Sequence, residues 1–181
     1  MKHIDLPPFP PPRSLPALSA ALVALDVALV PATLADVPLL ASLYAASRMP
    51  ELFSAPRTIE QKRAFLDDQF ALQHVHYLKV HRQGDFCLIV QSGAPVGRFL
   101  FDRSARDWVV IDILLATSAQ GRGLGSALIG WFQEAARSAG ANGVRLSVGY
   151  DNPRAQALYH RLGFIDDGDI GGTHKRMRWR G

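Results

Sequence analysis

The sequence predicts one mixed α/β domain, a sheet with helices on both faces, and three observations carry this. At 181 residues the chain has the length of a single domain and can bury a substantial core. Helix and strand periodicities alternate along it. A strongly apolar strand, Trp108 to Leu115, runs directly into a glycine-rich turn that opens an amphipathic helix.

Each element has its own signal. Residues 1–16 hold six of the twelve prolines and are expected to form an extended, solvated tail, leaving 17–181 as the domain. Ala17 to Leu25 is mostly apolar, but prolines precede it and no small-residue cleavage site follows, which argues against a signal peptide. Val27-Ala28-Leu29-Val30 reads as a first strand. Thr33 or Asp36 can cap the next helix, whose Leu40, Leu43, Tyr44 and Ser47 fall at helical spacing. Thr58-Ile59-Glu60-Gln61 matches a capping box and opens a helix through about Leu72. Strands follow at Phe86–Val90, Val96–Phe101 and Trp108–Leu115, the first two joined through Ser92-Gly93 as an antiparallel hairpin. A helix spans Gly123 to Ser138 and a short buried strand Val144 to Val148. Asn152-Pro153 caps and starts a helix that stops at Gly163. Strands near Phe164-Ile165 and His174–Trp179 finish the chain.

Composition narrows the class. With 48% hydrophobic and 20% charged residues the chain is neither collagen-like, nor a disulfide scaffold, nor wholly disordered. The single cysteine, Cys87, closes no intrachain disulfide and reads as a small core residue. No apolar run approaches the roughly 18–20 residues of a membrane span, so a cytoplasmic protein without a membrane partner is expected. The net charge of +4 concentrates in His174-Lys175-Arg176-Met177-Arg178-Trp179-Arg180. Its alternation fits a solvated edge strand, and no nucleic-acid motif accompanies it.

The chemistry gathers between Asp112 and Ser126. Glycines at 121, 123 and 125, at a helix start, aim unpaired N–H groups and the positive end of the helix dipole at one point, as a phosphate or pyrophosphate requires. Arg122 adds charge there. A P-loop is excluded because no lysine is present. The dinucleotide fingerprint is excluded by Ser126 in its last position and by Ala139-Gly140-Ala141-Asn142 where an acid is needed.

What remains, Gln120-x-x-Gly123-x-Gly125, resembles the acetyl-CoA-binding motif of the GNAT acetyltransferase superfamily. Downstream, Asn152-x-x-Ala155-x-x-Leu158-Tyr159-x-x-Leu162-Gly163-Phe164 is similar to a second segment of that family at the expected distance. The resemblance spans about residues 27–180. It implies the GNAT fold: a mixed, mostly antiparallel sheet of six or seven strands, splayed at the acetyl-CoA site and flanked by about four helices. Acetyl-CoA is the implied co-substrate. Leu114-Leu115-Ala116 would pair with its pantetheine arm, with a backbone N–H near Leu115 polarising the thioester carbonyl. The N–H groups of Gly121, Arg122, Gly123, Leu124, Gly125 and Ser126 would cradle the pyrophosphate, and Asn152 would contact the pantetheine portion. Thr117 departs from a proline common among relatives.

Tyr159 matches the family residue that points at the coenzyme sulfur and would act as general acid; helical spacing alone reads it as a core tyrosine. Asp112 stands amid an apolar strand either as general base or as a carboxylate paired with an arginine such as Arg98. Glu51 lies in the loop between the first two helices and either recognises an amine or is merely exposed. His74-x-His76 lacks a carboxylate or cysteine partner, so no metal is expected. Acceptor loops are expected around residues 48–58 and 74–85. The reading is therefore an acetyl-CoA-dependent N-acetyltransferase acting on a primary amine of a small molecule, peptide or protein. The alternatives are a catalytically weak acetyl-CoA sensor or an interaction module using the proline-rich arm. The oligomeric state stays open, dimers being common among similar proteins.

Overall fold

The computed structural model describes residues 6–181. Helix α1 (Ala20–Ala24) precedes strand β1 (Val27–Pro31), then α2 (Val37–Arg48) and α3 (Ile59–Val80). Strands β2 (Asp85–Gln91), β3 (Ala94–Asp102) and β4 (Asp107–Leu115) follow, then α4 (Leu124–Ser138), β5 (Gly143–Gly149), α5 (Pro153–Arg161), β6 (Ile165–Ile170) and β7 (His174–Arg180). One seven-stranded sheet has the order β1-β2-β3-β4-β5-β7-β6, and β4–β5 is its single parallel pair.

Local chemistry accounts for the helix starts. Thr58 and Gln61 form the reciprocal capping box of α3. Asn152 accepts from the Ala155 N–H, and Pro153 takes the first position of α5, where its missing N–H costs nothing. Helices α1, α4 and α5 cover one face of the sheet. There Phe99, Phe101, Trp108, Leu128, Phe132, Val144 and Met177 form the main core. Helices α2 and α3 cover the other face over the β1–β4 half, burying Leu40, Tyr44, Leu66, Phe70 and Leu88.

Several expectations are corrected. Helix α3 runs to Val80 rather than Leu72, because Leu66, Phe70, His74 and Leu78 continue one buried stripe at four-residue spacing. Residues 74–80 are therefore helix and not an acceptor loop. Strand β7 is interior, because the chain turns back through Gly171 and Gly172 and leaves β6 at the edge. The apolar stretch before β1 forms α1, capped by Ser19, with Leu22 fully buried.

Residues 6–19 carry no helix or strand, as the prolines dictate, yet they dock on the domain instead of standing in solvent. Phe9 sets its ring edge against His74 (4.9 Å) and Phe86 (5.7 Å). Arg13 and Arg103 both bond the buried Asp85, and the Trp131 indole donates to the Ala17 carbonyl. Of the expected tail, residues 1–5 lie outside the described residues.

Candidate active site

The site begins with a defect in the sheet. Leu100 pairs with Asp112 and Phe101 with Val110, so Ile111 is an extra residue, a β-bulge in β4. Beyond it the strand's parity flips. Trp108 and Val110 face the main core, whereas Asp112 and Leu114 turn to the α2/α3 side. The parallel ladder to β5 holds only at Asp107–Gly143, Trp108–Val144 and Val109–Arg145. From there to Leu115 the two strands diverge and leave a backbone edge of β4 unpaired. Ala116 donates its N–H to the Val96 carbonyl on the β3 side (2.8 Å), so by strand alternation the Leu115 N–H points into the opening.

At the end of this edge sits the glycine turn. Gly121 and Gly123 adopt φ of +75° and +84°, the left-handed region that side chains resist. Among the described residues no hydrogen bond engages the N–H groups of Gly121, Arg122 or Gly123. Those of Leu124, Gly125 and Ser126 belong to the first turn of α4, which has no internal acceptors. Six donors thus converge at a helix N-terminus with nothing filling the place where a Gly123 Cβ would stand. This is the chemistry a pyrophosphate needs. Gln120, expected among the ligand-binding residues, holds the turn itself: its side chain donates to the Leu115 carbonyl and its N–H to the Thr117 carbonyl. Arg154 was not singled out from the sequence. Its guanidinium lies 3.3 Å from the position a Gly121 side chain would take, so it overhangs the donor cluster from the first turn of α5.

On the α2/α3 side a polar group lines the opening. Arg98, buried, donates to Asp112 Oδ2 (2.6 Å) and to Gln73 Oε1 (2.6 Å). Its guanidinium carbon stands 6.0 Å from the Tyr44 ring and 5.9 Å from Phe70. Burial and the nearby Asp112 carboxylate push the Tyr77 hydroxyl well above its ordinary range. The expected alternative for Asp112, pairing with Arg98, is what the geometry displays; its Oδ1 makes no hydrogen bond among the described residues. Glu51 lies in the short 3₁₀ turn after α2, exposed, and pairs with Arg48 (2.7 Å).

Tyr159, buried on the sheet-facing side of α5, approaches the same carboxylate from the other side. Burial and then Asp112 raise its hydroxyl to about 12, so it stays protonated at neutral pH. Among the described residues that hydroxyl has no hydrogen-bond partner, unlike a core tyrosine tied to a carbonyl. His74 and His76, two apart on α3, point in different directions and cannot share a ligand. His74 is sealed between Phe9 and Phe70 with Nε2 unpartnered, and burial, then Arg98, lowers it to about 4.

The acetyltransferase (GNAT) family model matches residues 46–164. The chain belongs to the GNAT acetyltransferase family. Its fold is that of solved family members. PaiA N-acetyltransferase from Thermoplasma acidophilum, in complex with coenzyme A, superimposes with a TM-score of 0.65 at 12% identity over 86% of this chain and 99% of that one. An acetyltransferase from Thermus thermophilus gives 0.63 at 25% identity over 87% and 98%. Spermidine N-acetyltransferase from Vibrio cholerae, in complex with CoA and spermine, gives 0.56 at 18% identity over 86% and 95%. No curated protein matches the chain. GNAT enzymes use acetyl-CoA as co-substrate, which fits the open β4 edge and the unbonded glycine turn. Among the described residues no helix is long and apolar enough to cross a membrane.

Proposed function

We propose that the protein transfers an acetyl group from acetyl-CoA directly to a primary amine. One observation carries this: the unpaired edge of β4 joins an unbonded N–H cluster at one end and lies between Asp112 and the unpartnered hydroxyl of Tyr159. Acetyl-CoA supplies an activated thioester. The N–H groups from Gly121 to Ser126 hold its pyrophosphate, with Arg122 and Arg154 adding charge. Leu114, Leu115 and Ala116 line the pantetheine arm, which Asn152 also contacts. The Leu115 N–H donates to the thioester oxygen as negative charge gathers there. Asp112, anchored through Oδ2, takes the amine proton on Oδ1, and Tyr159 delivers its proton to the departing sulfur. Glu51, tethered by Arg48 at the rim, contacts the incoming amine.

The test is release of free thiol from acetyl-CoA with polyamines, aminoglycosides, amino acids and N-terminal peptides. Acetylation of at least one amine is expected. Tight acetyl-CoA binding without turnover on any of them would leave a sensor of the same fold.

A further inference from the structure

Helices α2 and α3 cover only half of their face of the sheet. Over β5 and β7 the core takes Val144, Leu146, Val148, Met177 and Trp179 on the α4/α5 side. The opposite face therefore presents Arg145 and Ser147 from β5, and His174, Arg176, Arg178 and Arg180 from β7. Ser147, His174, Arg176 and Arg180 are exposed. This is also the side to which Asp112 turns, so the basic face adjoins the mouth through which an amine would enter.

The charge there is left largely uncompensated. Asp107 is shared by Arg178 (3.1 Å) and Arg145 (3.8 Å), while Arg176 and Arg180 have no ion pair among the described residues. Among the described residues the Nε groups of Arg145 and Arg178 make no hydrogen bond, Arg145 Nε standing 3.8 Å from Asp107 Oδ2. The aspartates of the neighbouring edge strand do not answer them. Asp166 is spent on Lys175 and His160, and Asp169 on Tyr150 and the Gly172 N–H, while Asp167 sits in the irregular stretch between.

We propose that this face docks an acidic segment of a polypeptide acceptor, so that the amine acetylated belongs to a chain rich in Asp and Glu near the modified group. The proposal rests on the acetyl-transfer reading above. Side chains two apart on a strand recur about every 7 Å, so the row from His174 to Arg180 extends about 20 Å, longer than a small metabolite needs and matched to an extended peptide. Guanidinium forks fit carboxylates in pairs. A single-stranded nucleic acid wants a series of aromatic platforms, and among the described residues this face offers only the His174 ring at one end of the row, Trp179 being turned into the core. A second copy docked about a twofold axis would lay the arginine row against itself. A polyamine would be repelled.

The experiment uses the full chain, fluorescein-labelled peptides of equal length holding one lysine amid Glu, Gln or Arg, and fluorescence anisotropy at low salt. The Glu peptide should bind about tenfold or more tightly than the Gln peptide, and added salt should erase the difference. The double variant Arg176→Glu, Arg180→Glu should reverse the order in favour of the Arg peptide while acetyl-CoA affinity stays unchanged. Three peptides bound alike would overturn the proposal. So would tighter binding of an oligothymidylate, or a dimer that the double variant dissolves. Thiol release separates the two readings. Charge-selective binding without acetylation of any amine leaves the docking face and removes the transferase. Acetylation of small amines with unselective peptide binding does the reverse.

Discussion

Replacing Asp112 separates its two roles, because one oxygen anchors a buried cation and the other faces the opening. Arg98 is 3% exposed, and Asp112 is its one carboxylate partner among the described residues. Asp112→Ala leaves that guanidinium with Gln73 and two aromatic rings, and stranding a buried charge costs about 3–5 kcal/mol. Asp112→Asn keeps an oxygen that can accept from Arg98 Nε but loses the charge. The bond keeps its ionised donor and only the countercharge goes, so the loss should be smaller, about 1–2 kcal/mol. Asn cannot take a proton, so the rate should fall by about 10²–10⁴-fold in either variant. Urea unfolding followed by tryptophan fluorescence gives the stabilities, and thiol release on the best acceptor gives kcat/KM against pH. An Asp112→Ala protein within about 1 kcal/mol of wild type would refute the anchoring argument. An Asp112→Asn enzyme of normal rate would take the base away from Asp112.

Three further outcomes follow from the same geometry. Gly123→Val forces a β-branched residue to φ +84° in open space, so the fold should survive while acetyl-CoA affinity drops about tenfold or more by calorimetry; equal affinity would remove the turn from the site. His74 titrates at about 4 in the folded chain against 6.5 ordinarily, so the unfolded chain binds the proton first. Stability should therefore decline as pH falls through that interval, and His74→Phe should flatten this part of the profile in denaturant titrations; an unchanged slope contradicts it. Phe9 is mostly buried against His74 and Phe86, and burying a Phe side chain is worth up to about 3 kcal/mol. Phe9→Ala should then lower unfolding free energy by about 2–3 kcal/mol, whereas an ordinary tail would lose nothing.

What was legible in the sequence was local. The Thr58–Gln61 box, the Asn152-Pro153 start and the glycine turn each act within one turn of chain, and all three are in place. The features that build the opening are not local. The bulge at Ile111 exists only in the register between β3 and β4, and it decides which way Asp112 faces. Arg98 was a nameable partner for Asp112, but Gln73, Tyr44 and Tyr77 join them only because α2 and α3 fold onto that face. Likewise, β7 reads as an edge by its charges, and only the return of β6 through Gly171-Gly172 makes it interior. Phe9 is invisible in a proline-rich stretch until His74 and Phe86 supply its pocket.

Single-turnover acetyl transfer by Tyr159→Phe tests the proposed chemistry most directly. The substitution keeps the ring against Phe164 (5.8 Å) and removes only a hydroxyl that has no protein partner among the described residues, so stability and acetyl-CoA affinity should barely change. With the proton donor gone, the rate constant for acetyl transfer should fall by about 10²–10⁴-fold. A Tyr159→Phe enzyme that transfers acetyl at the wild-type rate, with an acceptor for which that step is limiting, would contradict the account and return Tyr159 to the core.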